Sequence, residues 1–139
     1  MPDIEIIEKH ISSYLTDVDN LKKHLGITLS DVNSDKDLLW VLERGIYLLI
    51  QNLFDMLAHI VSADFKVSWD SYTDIAEILA VKKVISEEDK TLLQQMAGFR
   101  NRLSHEYLSL DARVLVDIIN NRLNDFDKFL FIIKHYCGI

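Results

Sequence analysis

Arg100-Asn101-Arg102-Leu103-Ser104-His105-Glu106-Tyr107 gathers the chain's chemically most capable side chains at the end of an otherwise apolar helix pattern. Arginine is a permanent cation that can hold phosphate oxygens through two N–H groups at once. Histidine takes or gives a proton near neutral pH. That pair suits chemistry on a phosphodiester. Helix geometry constrains it: at roughly 100° per residue, Arg100 and His105 lie about 140° apart around a helix axis. Asn101 shares a face with His105, and Arg100 with Ser104. Either the helix unwinds before His105, or two copies of the motif meet across a two-fold axis. A plainer reading stands beside this one, in which Arg100, Asn101, Arg102 and Glu106 form a solvated helix end whose basic side chains oppose the macrodipole.

The elements that must position these residues read as helices. One proline and four glycines in 139 residues leave little punctuation. Ile4, Ile7, Ile11, Tyr14, Val18, Leu21 and Leu25 step by three and four along a first amphipathic helix. Gly26 is a natural stop, and Ile27–Ser34 reads as a loop. Ser34 and Asp37 look like a capping box opening a long helix to about Ser62. Apolar residues cover too much of that helix for one stripe, so it is either central or buried on two sides, the second against a partner copy. Its polar residues Arg44, Tyr47, Gln51, Asp55 and His59 line one narrow face.

Ala63–Asp70 reads as a connection anchored by Trp69, and Ser71–Val81 as a short helix. Ser86 and Asp89 suggest a second capping box for the helix that ends in the motif. Asp111 caps a final helix carrying Val116, Ile119, Leu123, Phe126, Leu130, Ile133 and Cys137. The pattern predicts one all-α domain over residues 1–139, an antiparallel helical bundle of about five helices, four main and one short.

Composition narrows the function. Hydrophobic residues make up 49% of the chain, enough for a packed core. The net charge of −7 opposes nucleic-acid binding except through a local basic patch. Cys137 is alone, which fits a reducing, cytosolic setting and a buried small hydrophobe rather than a nucleophile. The charged start MPDIEIIEKH is unlike a signal peptide, and polar residues interrupt the longest apolar runs, so no membrane span is expected. His10, His24 and His135 read as solvated. Asp55 and His59 could bind a metal on paper, but two ligands are too few, and a structural or supporting role fits His59 better. No phosphate-binding glycine loop, zinc spacing or Ser-His-Asp signature is present.

RNRLSHEY resembles the Arg-x-x-x-x-His-x-Tyr signature of the HepT branch of the HEPN superfamily. SYTDIAEILAVKKVISEEDKTLLQQMAGFRNRLSHEYLSLD is similar to that family's short helix, connection and motif helix in order, and LERGIYLLIQNLFDMLAHI to its long second helix. The resemblance implies a HEPN-like all-helical homodimer with the motif in a cleft between copies, acting without cofactor or metal as an endoribonuclease toxin. It implies Arg100 and His105 as the catalytic pair and Asn101 as the adjacent polar residue; beside them Arg102 and Ser104 read as supporting residues, and Asp55 and His59 as outer-layer ones. It also implies a cognate MntA-like minimal nucleotidyltransferase antitoxin that transfers AMP to Tyr107. The competing reading is a non-catalytic dimeric module that binds nucleotide or RNA, or serves as an interaction partner of such a nucleotidyltransferase.

Overall fold

The computed structural model describes residues 1–105 and 111–139, with His105 described in its backbone alone. The described residues form helices α1 (Ile4–Lys22), α2 (Leu29–Ser34), α3 (Lys36–Ile60), α4 (Tyr72–Val81), α5 (Glu87–His105), α6 (Ala112–Asp117) and α7 (Leu123–Cys137). A π-helical turn, Val61–Phe65, extends α3, and another, Ile118–Arg122, joins α6 to α7 into one continuous helix. Four long helical rods and the short α4 therefore match the sequence expectation. The addition is α2: Ile27–Ser34 is not simply a loop. Thr28 and Asp31 form a reciprocal capping box that satisfies the first N–H groups of this single short helix.

Capping also corrects the start of α3. Asp35, not Ser34, is the N-cap, its carboxylate accepting from the N–H groups of Asp37 and Leu38. The Ser34 hydroxyl instead donates to the Asp31 carbonyl. Ser86 does accept from the Asp89 N–H, 3.0 Å away. The Asp89 carboxylate, however, faces Lys128 on α7 at 2.5 Å and so ties α5 to α7. Asp111 caps α6 as its position in the sequence implied.

Helix α3 is the axis of the molecule. Leu42, Ile46, Leu49, Leu53, Phe54, Met56 and Ile60 are completely buried, and α1, α4, α5, α6 and α7 all pack against it. Lys36–Phe65 is long and apolar enough to cross a membrane, yet half of its most apolar window is buried inside the bundle. Its wide apolar coverage reflects a central place among other helices. Trp40 and Val41, by contrast, stay exposed on its first turns.

Polar clasps fix the outer helices. Asn120, carried on the second π turn, accepts from the Gly26 N–H at 2.7 Å and donates to the Ile27 carbonyl at 2.8 Å. Gly26 stands at φ +88°, a conformation that suits glycine after a helix end. The buried Tyr14 hydroxyl donates to the Phe126 carbonyl at 2.7 Å, joining α1 to α7. At the opposite end, the N-terminal ammonium sits 2.8 Å from Asp64, which also accepts from Tyr136.

Leu53→Ala should lower stability by about 2–5 kcal/mol, the range for a buried leucine whose cavity cannot fully collapse. Urea unfolding measures this, and a loss under about 1 kcal/mol would mean that α3 is not the centre of the core.

Candidate functional site

The site is built on facing surfaces of α3, α4 and α5. Arg100 lies in the next-to-last turn of α5 and is half-buried. Its Nη2 donates to the Tyr47 hydroxyl at 3.0 Å and to Gln51 Oε1 at 3.3 Å. Tyr47 and Gln51 are one turn apart on α3, so the polar face seen in the sequence is in part an arginine cradle. The guanidinium carbon is also 4.9 Å from the centre of the Tyr47 ring and 5.1 Å from that of Tyr72, the first residue of α4. Tyr72 is held in turn by parallel stacking on Phe54, with ring centres 4.4 Å apart. Each cation–π contact contributes on the order of 0.5–2 kcal/mol, depending on how dry the site is.

No carboxylate lies within ion-pair distance of Arg100 among the described residues. Its neighbours are neutral oxygens and aromatic faces. Burial raises the Tyr72 phenol above its ordinary value, with Arg100 pulling the other way, so Tyr72 stays protonated at neutral pH. Arg44 stands 5.5 Å from the Tyr47 ring centre, so two guanidinium groups converge on one tyrosine. This is a local basic patch in an acidic chain.

The other expected site residues take varied places. Asn101 is exposed and its Oδ1 accepts from Arg100 Nη1 at 3.5 Å, a long contact. Ser104 donates to the Asn101 carbonyl at 3.0 Å, a bond within its own helix. Arg102 is exposed, its guanidinium 5.6 Å from the Phe99 ring centre, at the rim of a mainly apolar cavity of about 180 Å³ between α5 and the α6–α7 rod. His105 closes α5, but its side chain lies outside the described residues, as does Tyr107 altogether. So does the expected partnership of Asn101 with His105.

Asp55 is one turn beyond Gln51. Burial raises its carboxyl above the ordinary range, against the opposing pull of His10 and Arg100. His59 accepts from the Asp3 N–H through Nε2 at 2.9 Å and so anchors the start of α1. His10, expected to be solvated, is half-buried and hydrogen-bonded to Asn52 at 2.6 Å. Among the described residues, no group of three or more His, Cys, Asp or Glu comes together to hold a metal.

Tyr47, Gln51 and Tyr72 are the cradle residues that sequence reasoning left without a role. The signal for the first two was their three- and four-residue spacing on the polar face of α3. Tyr72 gave none, because its approach to Arg100 depends on how α4 folds back.

A family model described as ribonuclease HepT-like matches residues 14–133. The mRNA nuclease HepT of Shewanella oneidensis is 33% identical over 67 residues, 48% of this chain and 47% of that protein. YutE of Bacillus subtilis, described as a candidate RNase, is 30% identical over 90 residues, 63% of this chain and 62% of that protein. The matched stretches thus span about half to under two thirds of these curated relatives. Among solved structures, a tri-AMPylated Shewanella oneidensis HEPN toxin in complex with its MNT antitoxin superimposes with a TM-score of 0.86 at 24% identity, covering 97% of this chain and 99% of that one. YutE, described there as a cytosolic protein, gives 0.80 at 24%, covering 99% and 92%. Both likenesses show the HEPN all-α fold.

Folding raises the Asp55 pKa, so the folded chain holds that proton more tightly than the unfolded chain does. Ionised Asp55 therefore costs stability above its raised pKa and costs nothing below the ordinary value of 3.8. Asp55→Asn should be more stable than wild type at neutral pH. The advantage should fade as the pH falls through the raised pKa. Urea unfolding across pH tests this; a variant less stable than wild type at pH 7 would contradict the assignment.

Proposed function

The chain belongs to the ribonuclease HepT-like family, and we propose that it is an endoribonuclease toxin whose Arg100 and His105 act on an RNA phosphodiester in a cleft between two copies. The observation that carries this is the cradle of Arg100. A half-buried guanidinium held by Tyr47, Gln51 and Tyr72 is fixed in place with no carboxylate partner among the described residues. It keeps its charge for an anion.

RNA supplies its own nucleophile, so the reaction needs no metal. The 2′-OH attacks the adjacent phosphorus while a histidine accepts its proton. The P–O5′ bond breaks, a second proton reaches the leaving O5′, and a 2′,3′-cyclic phosphate remains. Arg100 holds the phosphate and offsets the charge that grows on its oxygens. Two copies of the motif facing each other supply one histidine as base and one as acid, which resolves the 140° separation within one helix. Arg44 adds affinity for the strand. Single-stranded or loop RNA fits best, because the reacting atoms must come into line.

Regulation follows from Tyr107 in the same motif. A cognate minimal nucleotidyltransferase silences the toxin by transferring AMP from ATP to the Tyr107 hydroxyl, which loses its proton as pyrophosphate leaves. The adduct adds bulk and a negative phosphodiester two residues from His105, which repels RNA and competes for Arg100. The S. oneidensis HEPN toxin described above is itself AMPylated in complex with its antitoxin. The net charge of −7 favours a second reading, a non-catalytic dimeric module partnering the nucleotidyltransferase.

Induced expression in a bacterial host decides between them. Wild type should arrest growth and leave new cyclic-phosphate RNA ends, and Arg100→Ala and His105→Ala should each lower cleavage by about 100-fold or more while staying folded and dimeric. No arrest and no new ends from soluble wild-type protein would favour the interaction module.

Tyr107→Phe should stay toxic when the nucleotidyltransferase is co-expressed, whereas wild type is silenced. Equal protection of both proteins would place the modification elsewhere.

A further inference from the structure

His10 is held in a way that its exposed neighbours on α1 are not. Asn52, almost fully buried on α3, donates through Nδ2 to the His10 carbonyl at 3.0 Å. That bond sets the direction of the Asn52 amide, so its oxygen is the atom 2.6 Å from His10 Nδ1. An amide oxygen only accepts, so Nδ1 must carry the proton. The neutral ring then has its lone pair on Nε2. A buried residue thus fixes both the position and the tautomer of a half-buried histidine.

A groove of about 470 Å³ runs beside this histidine between α1 and α3. Ile6 and Leu48 give it apolar walls, and His10, Asp17, Gln51 and Asp55 give it polar ones. Gln51 belongs to the groove and also accepts from Arg100 at 3.3 Å, so the groove begins where the arginine cradle ends. Asp55 lines the groove one turn beyond Gln51, on the same helix. Two carboxylates outnumber the one lysine, Lys9, in the lining, which disfavours a second phosphate. The lining suits a nucleobase: apolar surface for the ring faces, and carboxylate, amide and imidazole groups for the edge.

Resting on the ribonuclease reading, we propose that the α1–α3 groove is a base subsite of the RNA cleft. It takes the nucleotide next to the phosphate at Arg100, and it selects amino-bearing bases over uracil through the Asp55 carboxylate and His10 Nε2. The exocyclic N–H groups of cytosine, adenine and guanine donate to these acceptors. Uracil has only its ring N3–H to donate on that edge, with carbonyls on either side of it, and so leaves one of the two acceptors unmatched. The carboxylates turn the backbone phosphates outward, toward Arg100 and Arg44.

The test separates binding from cleavage. Fluorescently labelled oligocytidylate and oligouridylate hexamers are titrated into full-length His105→Ala protein, which holds RNA without cutting it. Oligocytidylate should bind roughly tenfold more tightly, the discrimination expected of one well-made edge contact. His10→Asn keeps a donor for Asn52 but removes the Nε2 acceptor. Added to the His105→Ala background, it should reduce the preference to under about threefold, and Asp55→Asn should do the same. In the otherwise active protein, His10→Asn should make the cleavage sites lose their flanking-base preference. Equal binding of the two oligonucleotides, or an unchanged preference in His10→Asn, overturns the subsite even if RNA cleavage is established. A base preference that depends on His10 in a protein that cuts no RNA would keep the subsite and overturn the ribonuclease reading instead. If neither hexamer binds, both fail.

Discussion

A half-buried guanidinium must be compensated, and how it is compensated decides what it can do. A carboxylate partner would satisfy Arg100 and largely cancel its charge. The observed partners are two neutral oxygens, from Tyr47 and Gln51, and the faces of Tyr47 and Tyr72. They take up hydrogen bonds from Nη2 and offer aromatic faces to the cation without adding a negative charge. Three helices must be in register for this: α5 carries the arginine, α3 brings its two acceptors one turn apart, and α4 starts at Tyr72. Phe54, fully buried on α3, stacks on Tyr72 and so couples the cradle to the core. The cradle is therefore tied to the centre of the bundle.

That coupling explains why the central helix carries polar residues at all. Asn52 is buried, and an unpaired amide there would cost on the order of 1–3 kcal/mol. Both ends of its amide are used on His10, which pins α1 to α3 at one level. Asn120 performs a similar service at the Gly26 corner, and the π turn that carries it adds an extra residue within a continuous helix. Polar residues inside this bundle act as register pins. Asn52 fixes how α1 meets α3, Asn120 fixes how the α1–α2 corner meets the α6–α7 rod, and the apolar contacts fill in around them.

The sequence made the bundle legible because apolar residues recur at three- and four-residue steps in every long helix. It missed α2 because six residues are too few to display a period; only the Thr28 and Asp31 pair marks that helix. It misplaced the α3 cap because Ser34 and Asp35 are both good cap residues, and backbone direction chose between them. The π turns break the 3.6-residue period for one turn only and leave no composition signal. Of the site, the motif and the polar face of α3 were both visible, but not that one grips the other. His10 was read as solvated because it lies on a polar flank of α1. Its partner is 42 residues away, a pairing that no local pattern encodes.

An acidic chain that holds a polyanion must arrange its charges by distance. At about 0.1 M salt, exposed charges are largely screened beyond about 10 Å. The acidic first turn of α5, Glu87 to Asp89, precedes Arg100 by more than ten residues. At 1.5 Å per residue that is roughly 16–20 Å along the same helix. Those carboxylates complement the positive end of the α5 dipole and are screened from the other end, where Arg100 stands. Asp55 is the nearby acid, and its position is opposed by burial. It forms no ion pair with Arg100 and places one negative group where a phosphate would be unwelcome. The field at the site is therefore set by the local groups, Arg44, Arg100 and Asp55, and the overall −7 governs only the distant approach.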